Sequence, residues 1–362
     1  MTFRFVNFMF RTQNCRRTST ARCGALGLSA LTLSLACGSD VVDAGALPEG
    51  TDGSRVLDSA DAGGTPDTDS PTGTGCTNAD LGRYRLVFDS DGGRLERRIY
   101  SMRADGTELE ALTPPGELAR EPALSPDGSQ LAYVTPEGIR LLTLATGESE
   151  LLLPSADQPS WSPDGLRLFH RGCTPDNYSC GILAITLANR SFESFVNTPA
   201  SSAEASSDGA TLVFAVSRQS DGSGSQNAAG VQALNLNTPD NHTSWSVVEL
   251  SLLPVTHPTL SPDGIWLGAA IQCQNEPSPS LWVNPLAVPT PACEGRRITP
   301  PGVPSVSNPK WGPGALIAYE RGTPPRDLAI VAADTGEECV IPRLGDDRNP
   351  SWAASADFQP PQ

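Results

Sequence analysis

Sequence patterns that could carry out acid–base or metal chemistry are scarce in this chain, although it has 41 aspartates and glutamates. Carboxylates and imidazoles are the usual general acids, general bases and metal ligands of proteins. Only three histidines occur, His170, His242 and His257. The chain has neither the His-Glu-x-x-His pattern of zinc enzymes nor the Gly-x-Ser-x-Gly pattern of serine hydrolases. We therefore predict no catalytic site, no metal site and no cofactor.

Four aspartates recur at intervals of 37 to 55 residues, each within a Ser-x-Asp-Gly turn. Proline presets the first central position of such a turn, aspartate accepts hydrogen bonds from the backbone ahead, and glycine takes the left-handed position. Because the spacing follows a repeat, we interpret these aspartates as structural and not as catalytic or metal-binding groups. The predicted turn residues are Pro126, Asp127, Gly128, Pro163, Asp164, Gly165, Asp208, Gly209, Pro262, Asp263 and Gly264.

The turns belong to a longer unit that recurs six times. Its anchor positions are Leu124, Trp161, Ala205, Leu260, Trp311 and Trp352. Their mean spacing of about 46 residues is typical of four-stranded propeller blades. A nearly continuous apolar strand follows each of the first five anchors, as expected where neighbouring blades cover both faces of a sheet. A β-sandwich would show cleaner alternation, and a parallel β-helix would show shorter repeats.

The sequence thus predicts an all-β fold, a six-bladed β-propeller over residues 81–355. The first unit begins at its second strand, near Tyr84, and lacks an innermost strand. The C-terminal fragment Asn349–Ala353 has the innermost-strand motif with no strand after it. We expect the two ends to pair in one blade, because closure of the ring protects strand edges that would otherwise be exposed.

The repeat resembles that of TolB-like propellers, written roughly Pro-x-Trp-Ser-Pro-Asp-Gly and followed by an Ile-Ala-Tyr-like strand. The match is strongest at Pro159–Gly165, good at 122–128 and 258–264, and eroded at 203–209, 309–314 and 350–353. The resemblance extends over residues 84–354 and implies the propeller fold. TolB itself has an α/β domain before its propeller. Because a different segment occupies that place here, the role of TolB in its envelope complex is not carried over.

The N-terminus has the layout of an export signal. Residues 1–22 carry five arginines and no acidic residue, and an uncharged apolar run follows at 24–36. The segment Leu33–Cys37 resembles a bacterial lipobox, which implies cleavage before Cys37 and a lipid on that residue, although Ser34 departs from the usual leucine. An ordinary signal peptide with an incidental Cys37 is the alternative. By the same resemblance, Gly38 in second place favours the outer membrane, on its periplasmic side or at the cell surface.

Residues 37–80 form the predicted tether. This segment has nine acidic residues, one arginine and no aromatic residue, so it cannot bury enough apolar surface to offset the entropy of ordering. The predicted organisation is a signal peptide over 1–36, the tether over 37–80, the propeller over 81–355 and a tail over 356–362. The formal net charge of -16 makes nucleic acid an improbable partner on electrostatic grounds.

Six cysteines remain after removal of the signal peptide and use of Cys37 for lipid. An even number in an oxidising compartment favours disulfides, although sequence does not fix their connectivity. Cys173 and Cys180 flank one strand connection and are the best pair. Cys273 and Cys293 lie within one blade and come next, which leaves Cys76 with Cys339.

Two functional hypotheses follow from these features. The favoured one is a non-catalytic envelope lipoprotein that binds a protein, peptide or glycan. We expect it to be a monomer that contacts the membrane through its lipid alone. The alternative is an envelope lyase or hydrolase with a site at the mouth of the channel. That alternative requires His257, expected near the channel, and His170, expected at a strand end, to converge with acidic side chains. The long loops at 217–229 and 286–295 are further candidates for recognition.

Overall fold

The computed structural model describes residues 81–93, 96–173, 180–196, 200–216, 229–238, 244–251, 255–300 and 303–353. The predicted signal peptide, Cys37, the tether, Cys76 and the tail lie outside these ranges. A short 3-10 helix spans Leu81–Arg83, and the other regular elements are strands. None of the helical structure in the described ranges is long and apolar enough to cross a membrane.

The described residues form six antiparallel sheets of four strands each, which are the blades of the propeller. The first three blades contain β1 (Arg85–Ser90), β2 (Arg98–Arg103) and β3 (Glu110–Ala111); β4 (Arg120–Leu124), β5 (Gln130–Thr135), β6 (Gly138–Thr143) and β7 (Glu148–Pro154); and β8 (Asp157–Trp161), β9 (Arg167–Cys173), β10 (Cys180–Thr186) and β11 (Phe192–Val196).

The other three blades continue the same pattern. They contain β12 (Ala200–Ala205), β13 (Thr211–Val216), β14 (Ala229–Asn235) and β15 (Ser244–Ser251); β16 (Val255–Leu260), β17 (Trp266–Ile271), β18 (Ser280–Pro285) and β19 (Arg296–Arg297); and β20 (Val306–Trp311), β21 (Leu316–Arg321), β22 (Asp327–Ala332) and β23 (Glu338–Ile341). The last strand, β24 (Asp347–Trp352), joins the first blade.

The innermost strands form the wall of the ring. They are β4, β8, β12, β16, β20 and β24, and each contacts the innermost strands of both neighbouring blades. Each of the six strands ends at a predicted anchor residue, and for β24 that residue is Trp352. The six-bladed fold expected from the repeat is therefore confirmed.

Each predicted turn residue lies between an innermost strand and the second strand of its blade. In blade 3, Asp164 Oδ1 accepts hydrogen bonds from the Ser162 hydroxyl at 2.5 Å and from the Leu166 N–H at 3.0 Å. Gly165 has a φ of +70°, a left-handed value that glycine adopts without strain. The hydrogen bond from Ser162 holds the pKa of Asp164 below its usual value. Asp127, Asp208 and Asp263 close their turns in the same way.

The second strands form the core between blades. Phe88, Tyr133, Phe169, Phe214 and Tyr319 are almost completely buried there. Burial of such a side chain contributes roughly 1.5–3 kcal/mol to folding, so adjacent blades stabilise one another. Buried apolar residues on both sides of a blade explain why these strands do not alternate between apolar and polar positions.

The two ends of the propeller meet in blade 1, as the sequence predicts. β24 pairs with β1, with Leu86 opposite Trp352 and Ser90 opposite Asp347. The Arg97 guanidinium reinforces this junction, because it donates to Asp89 Oδ2 at 2.6 Å and to Asp346 Oδ2 at 2.9 Å. One partly buried arginine thus joins carboxylates from the beginning and the end of the ring.

The predicted cysteine pairs meet different outcomes. A disulfide joins Cys273 to Cys293, in agreement with the prediction for blade 5. Cys173 lies directly opposite Cys180 across the β9–β10 pair, and Cys173 is disulfide-bonded. Cys339 is also disulfide-bonded. Its proposed pairing with Cys76 stays a prediction, because Cys76 lies outside the described residues.

Candidate functional site

Each of the six innermost strands is interrupted by a bulge at the same height. Two of its residues lie opposite a single residue of the second strand, as where Glu121 and Pro122 lie opposite Tyr133. The first residue of each bulge has a left-handed backbone, with φ between +45° and +55°, although none of the six is glycine. These six bulge residues are Glu121, Gln158, Ser202, His257, Asn308 and Asn349.

The bulges surround a cavity at one end of the central channel, here named the channel mouth. Its volume is about 110 Å³. The walls consist of the six bulge residues, the residues that follow them and Lys310. In five blades the following residue is a proline, at Pro122, Pro159, Pro258, Pro309 and Pro350, and in the sixth it is Ala203. The site therefore combines polar side chains with a rigid apolar lining.

A chain of hydrogen bonds runs around the channel mouth from blade to blade. The Glu121 N–H donates to Asp89 Oδ1 at 3.0 Å, and the Gln158 N–H donates to Glu121 Oε2 at 2.9 Å. The Ser202 N–H donates in turn to Gln158 Oε1 at 2.8 Å. On the other side of the ring, the Asn349 N–H donates to Glu320 Oε1 at 2.9 Å. Side-chain oxygens therefore satisfy the backbone groups that the bulges release from strand pairing.

His257 differs from the other bulge residues. Its Nδ1 is buried and has no hydrogen-bond partner among the residues that the structure describes. Burial lowers the pKa of His257 to about 4, an effect that nearby Glu320 opposes and Lys310 reinforces. The imidazole is therefore neutral at pH 7, and one of its ring nitrogens has unused hydrogen-bonding capacity beside the cavity.

Charged groups of both signs surround the channel mouth. Lys310 Nζ forms an ion pair with Glu204 Oε2 at 2.7 Å. Burial raises the pKa of Asp89 and of Glu121 above the ordinary carboxyl values, although Asn349 and Arg97 act against this for Asp89. A second cavity of about 520 Å³ adjoins the channel mouth and shares Glu121 with it, and the half-exposed Arg120 lines this outer cavity.

His170 takes no part in the channel mouth. The structure corrects the prediction that His170 ends a strand, because β9 continues to Cys173 and His170 lies near its middle, 1% exposed. His170 lies opposite the bulge of Gln158, a position held by phenylalanine or tyrosine in blades 1, 2, 4 and 6. We therefore interpret His170 as a substitute for an aromatic core residue.

The two histidines on which an enzymatic site would depend are thus in different environments. Within the described ranges, no three histidine, cysteine, aspartate or glutamate side chains are arranged to hold a metal ion. The side chains of the channel mouth can form hydrogen bonds and ion pairs with a bound group. The prediction that the protein is not an enzyme remains a prediction.

The sequence indicated the channel position of His257 but missed the other bulge residues. The available signal was the proline after five of them, which recurs at the same point of the repeat. Of the two candidate recognition loops, the 217–229 segment lies almost wholly outside the described residues. The 286–295 loop is described; it contains Cys293, and its Thr290 pairs with Val248 of blade 4.

The comparison with known proteins gives structural matches alone. The chain matches no protein-family model and no curated protein sequence. TolB from Acinetobacter baumannii has 19% sequence identity and a TM-score of 0.61, with 75% of this chain and 67% of that chain covered. A TolB homologue structure from Agrobacterium tumefaciens has 14% identity and a TM-score of 0.56, with 74% and 90% covered.

The tricorn protease structure is a further match, with 14% identity and a TM-score of 0.52. It covers 73% of this chain but 26% of the protease chain, so the likeness is confined to a part of that larger protein. At these low sequence identities the matches show that the fold is shared and no more. The fold is the six-bladed β-propeller. Within that fold, the propeller of this chain is similar to those of the two TolB structures.

Proposed function

We propose that this protein is a non-catalytic binding module of the bacterial envelope that binds a protein, peptide or glycan at the channel mouth. The observation that carries the proposal is the ring of six bulge residues. Each of the six blades contributes one polar bulge residue to the lining of one cavity, and the closed sheets behind them hold these residues in place.

The unused hydrogen-bonding capacity at the channel mouth supports a ligand. The buried Nδ1 of His257 has no partner, and a buried polar atom in that state costs roughly 1–3 kcal/mol. A bound group that donates or accepts there would recover part of this cost. The proline lining adds apolar surface that does not need to be ordered on binding.

The proposal also includes export and lipid anchoring at Cys37, which rest on the N-terminal sequence. An outer-membrane anchor and an acidic tether would hold the propeller near the membrane without inserting it. At roughly 5–6 Å × √n for a flexible chain, a tether of about 40 residues gives a separation of some 35 Å.

Site-specific photo-crosslinking in the intact cell tests the ligand-binding proposal. A photoreactive residue replaces Arg120, which is half exposed and lines the cavity next to the channel mouth. The matched control replaces Leu166, which is 61% exposed at the opposite end of the blades. We expect a discrete crosslinked partner from position 120 and none from position 166. No product, or the same products from both positions, would refute binding at the channel mouth.

The enzymatic alternative needs its own assay. Purified propeller is screened for hydrolase and lyase activity on envelope peptides and glycans, and its metal content is measured. Turnover that His257→Ala abolishes would replace the binding proposal with the enzymatic one. Absence of turnover together with a specific crosslink would support the proposal.

A further inference from the structure

A third cavity lies between blades 5 and 6, at the opposite end of the innermost strands from the channel mouth. Its volume is about 400 Å³, within the range of small-molecule sites. Two indole rings line it, Trp266 at the start of β17 and Trp311 at the end of β20. We name it the Trp266 crevice.

Local sequence explains why the crevice has aromatic walls. Trp266 follows the Asp263 turn, and its backbone N–H donates to the Ser261 hydroxyl. The equivalent positions in blades 2, 3 and 4 hold Gln130, Arg167 and Thr211, whose N–H groups make the same bond. An indole at this polar surface position is 39% exposed and is not required by the turn.

A glycine two residues later admits the second indole. A Cβ on Gly268 would lie 3.1 Å from Thr259 Cγ2 and 3.4 Å from Trp311 Cε3, so Thr259 and the indole pack directly against the bare backbone at this position. The Trp311 indole Nε1–H already donates to the Gly314 carbonyl at 3.2 Å. The Trp266 indole N–H has no hydrogen-bond acceptor among the described residues, so it is available to a ligand.

The polar groups of the crevice also have free capacity. The exposed Arg296 side chain has neither a hydrogen bond nor an ion pair with any residue that the structure describes. Asp263 and Asp334 each use Oδ1 for a local turn, which leaves Oδ2 without a described donor. The crevice therefore presents acceptors, donors and an aromatic face within one cavity.

We propose that the Trp266 crevice binds an uncharged sugar, with a pyranose ring against the Trp266 indole. A pyranose has an apolar C–H face for an aromatic ring and a rim of hydroxyls that both donate and accept. Two carboxylates against one guanidinium, on a chain of net charge -16, disfavour an anionic ligand. Hydroxyls suit Asp263, Asp334 and Arg296 together, whereas a cation would leave Arg296 unpaired.

Saturation-transfer NMR with soluble oligosaccharides tests the proposal. The probes are neutral pentasaccharides of glucose and of N-acetylglucosamine, with a galacturonic acid pentamer as the acidic probe. We expect at least one neutral probe to bind and the acidic probe to bind more weakly. Binding of no neutral probe at millimolar concentration, or preference for the acidic probe, would overturn the proposal.

Variants then locate the binding. Trp266→Ala should weaken binding by about tenfold or more, and Asp334→Ala, which changes an exposed turn and leaves the core intact, should weaken it as well. The matched control is Phe192→Ala, an aromatic side chain of the same 39% exposure on blade 3, which should bind as the unaltered protein does.

If Trp266→Ala and Asp334→Ala both bind the neutral probe as the unaltered protein does, the crevice is not the site. This outcome leaves the proposed function untouched, since that proposal depends on the crosslink at position 120. Failure of the crosslink would likewise not affect the result at the crevice.

Discussion

Replacement of His170 by phenylalanine should stabilise the propeller. His170 is 1% exposed, and neither ring nitrogen has a well-aligned hydrogen-bond partner among the described residues. The Arg171 backbone and the Asp157 carboxylate favour the charged imidazole, but burial outweighs them. Its position holds Phe88 in blade 1 and Phe214 in blade 4, so a phenyl ring suits the site. Removal of unpaired buried polar atoms should raise the free energy of unfolding by about 1–3 kcal/mol at pH 7.

The gain should grow as the pH falls. Burial lowers the pKa of His170 to about 4, whereas histidine in an unfolded chain titrates near 6.5. Between these values the unfolded chain binds more protons, so native stability falls as the pH drops from 6.5 towards 4. The linkage amounts to about 2 kcal/mol at pH 5, and His170→Phe removes it.

Urea unfolding at pH 7 and pH 5 measures both effects. The matched control is Phe214→His, which places an imidazole at the equivalent position of blade 4 and should destabilise the protein, more strongly at pH 5. If His170→Phe loses as much stability between pH 7 and pH 5 as the unaltered protein, His170 does not titrate as inferred. If it is less stable at pH 7, the imidazole has a partner that this reasoning overlooks.

Three other predictions concern the N-terminus, the ring closure and the bulges. Mass spectrometry of the mature protein should find a lipid-modified Cys37 at the N-terminus; an unmodified N-terminus at another residue would exclude the anchor. Truncation after Leu344 removes β24 and Trp352, whose loss alone costs about 3 kcal/mol or more, so the chain should aggregate or melt far lower. Deletion of the last four residues should change little, and equal melting temperatures for the two truncations would contradict the closure. Ser202→Val puts a β-branched residue at a φ of +55° and should cost about 1–3 kcal/mol in thermal unfolding, unlike Ser201→Val beside it; equal losses would rule out backbone strain at the bulge.

The sequence predicts the blades well because their determinants are local. A Ser-x-Asp-Gly turn sets its own geometry within five residues, as the bonds of Asp164 to Ser162 and Leu166 show. Repetition of that turn determines the number of blades and the phase of the strands. The closure of blade 1 follows from the repeat count, because the first unit lacks an innermost strand and the C-terminal fragment supplies one.

The network at the closure could not be predicted in the same way. Arg97 and Asp346 are 249 residues apart in sequence, and the bond between them exists because the ring closes. The sequence also predicts the wrong position of His170 within its strand, because the end of β9 depends on its pairing partner. Arg171 and Gly172 after it give no sign of a continuing strand, yet pairing with β10 extends β9 as far as Cys173.

The bulge residues show why the site was harder to predict than its scaffold. A residue before proline is normally biased towards extended backbone, so local preference predicts a regular strand at Gln158 and at His257. Both are left-handed, because a bulge at that height in all six blades turns the innermost strands around the channel. The repeat thus conserves the backbone position and leaves the side chain free to vary. Glutamate, glutamine, serine, histidine and two asparagines therefore share one backbone geometry, and the proposed binding at the channel mouth would draw on the different hydrogen-bonding groups that they present.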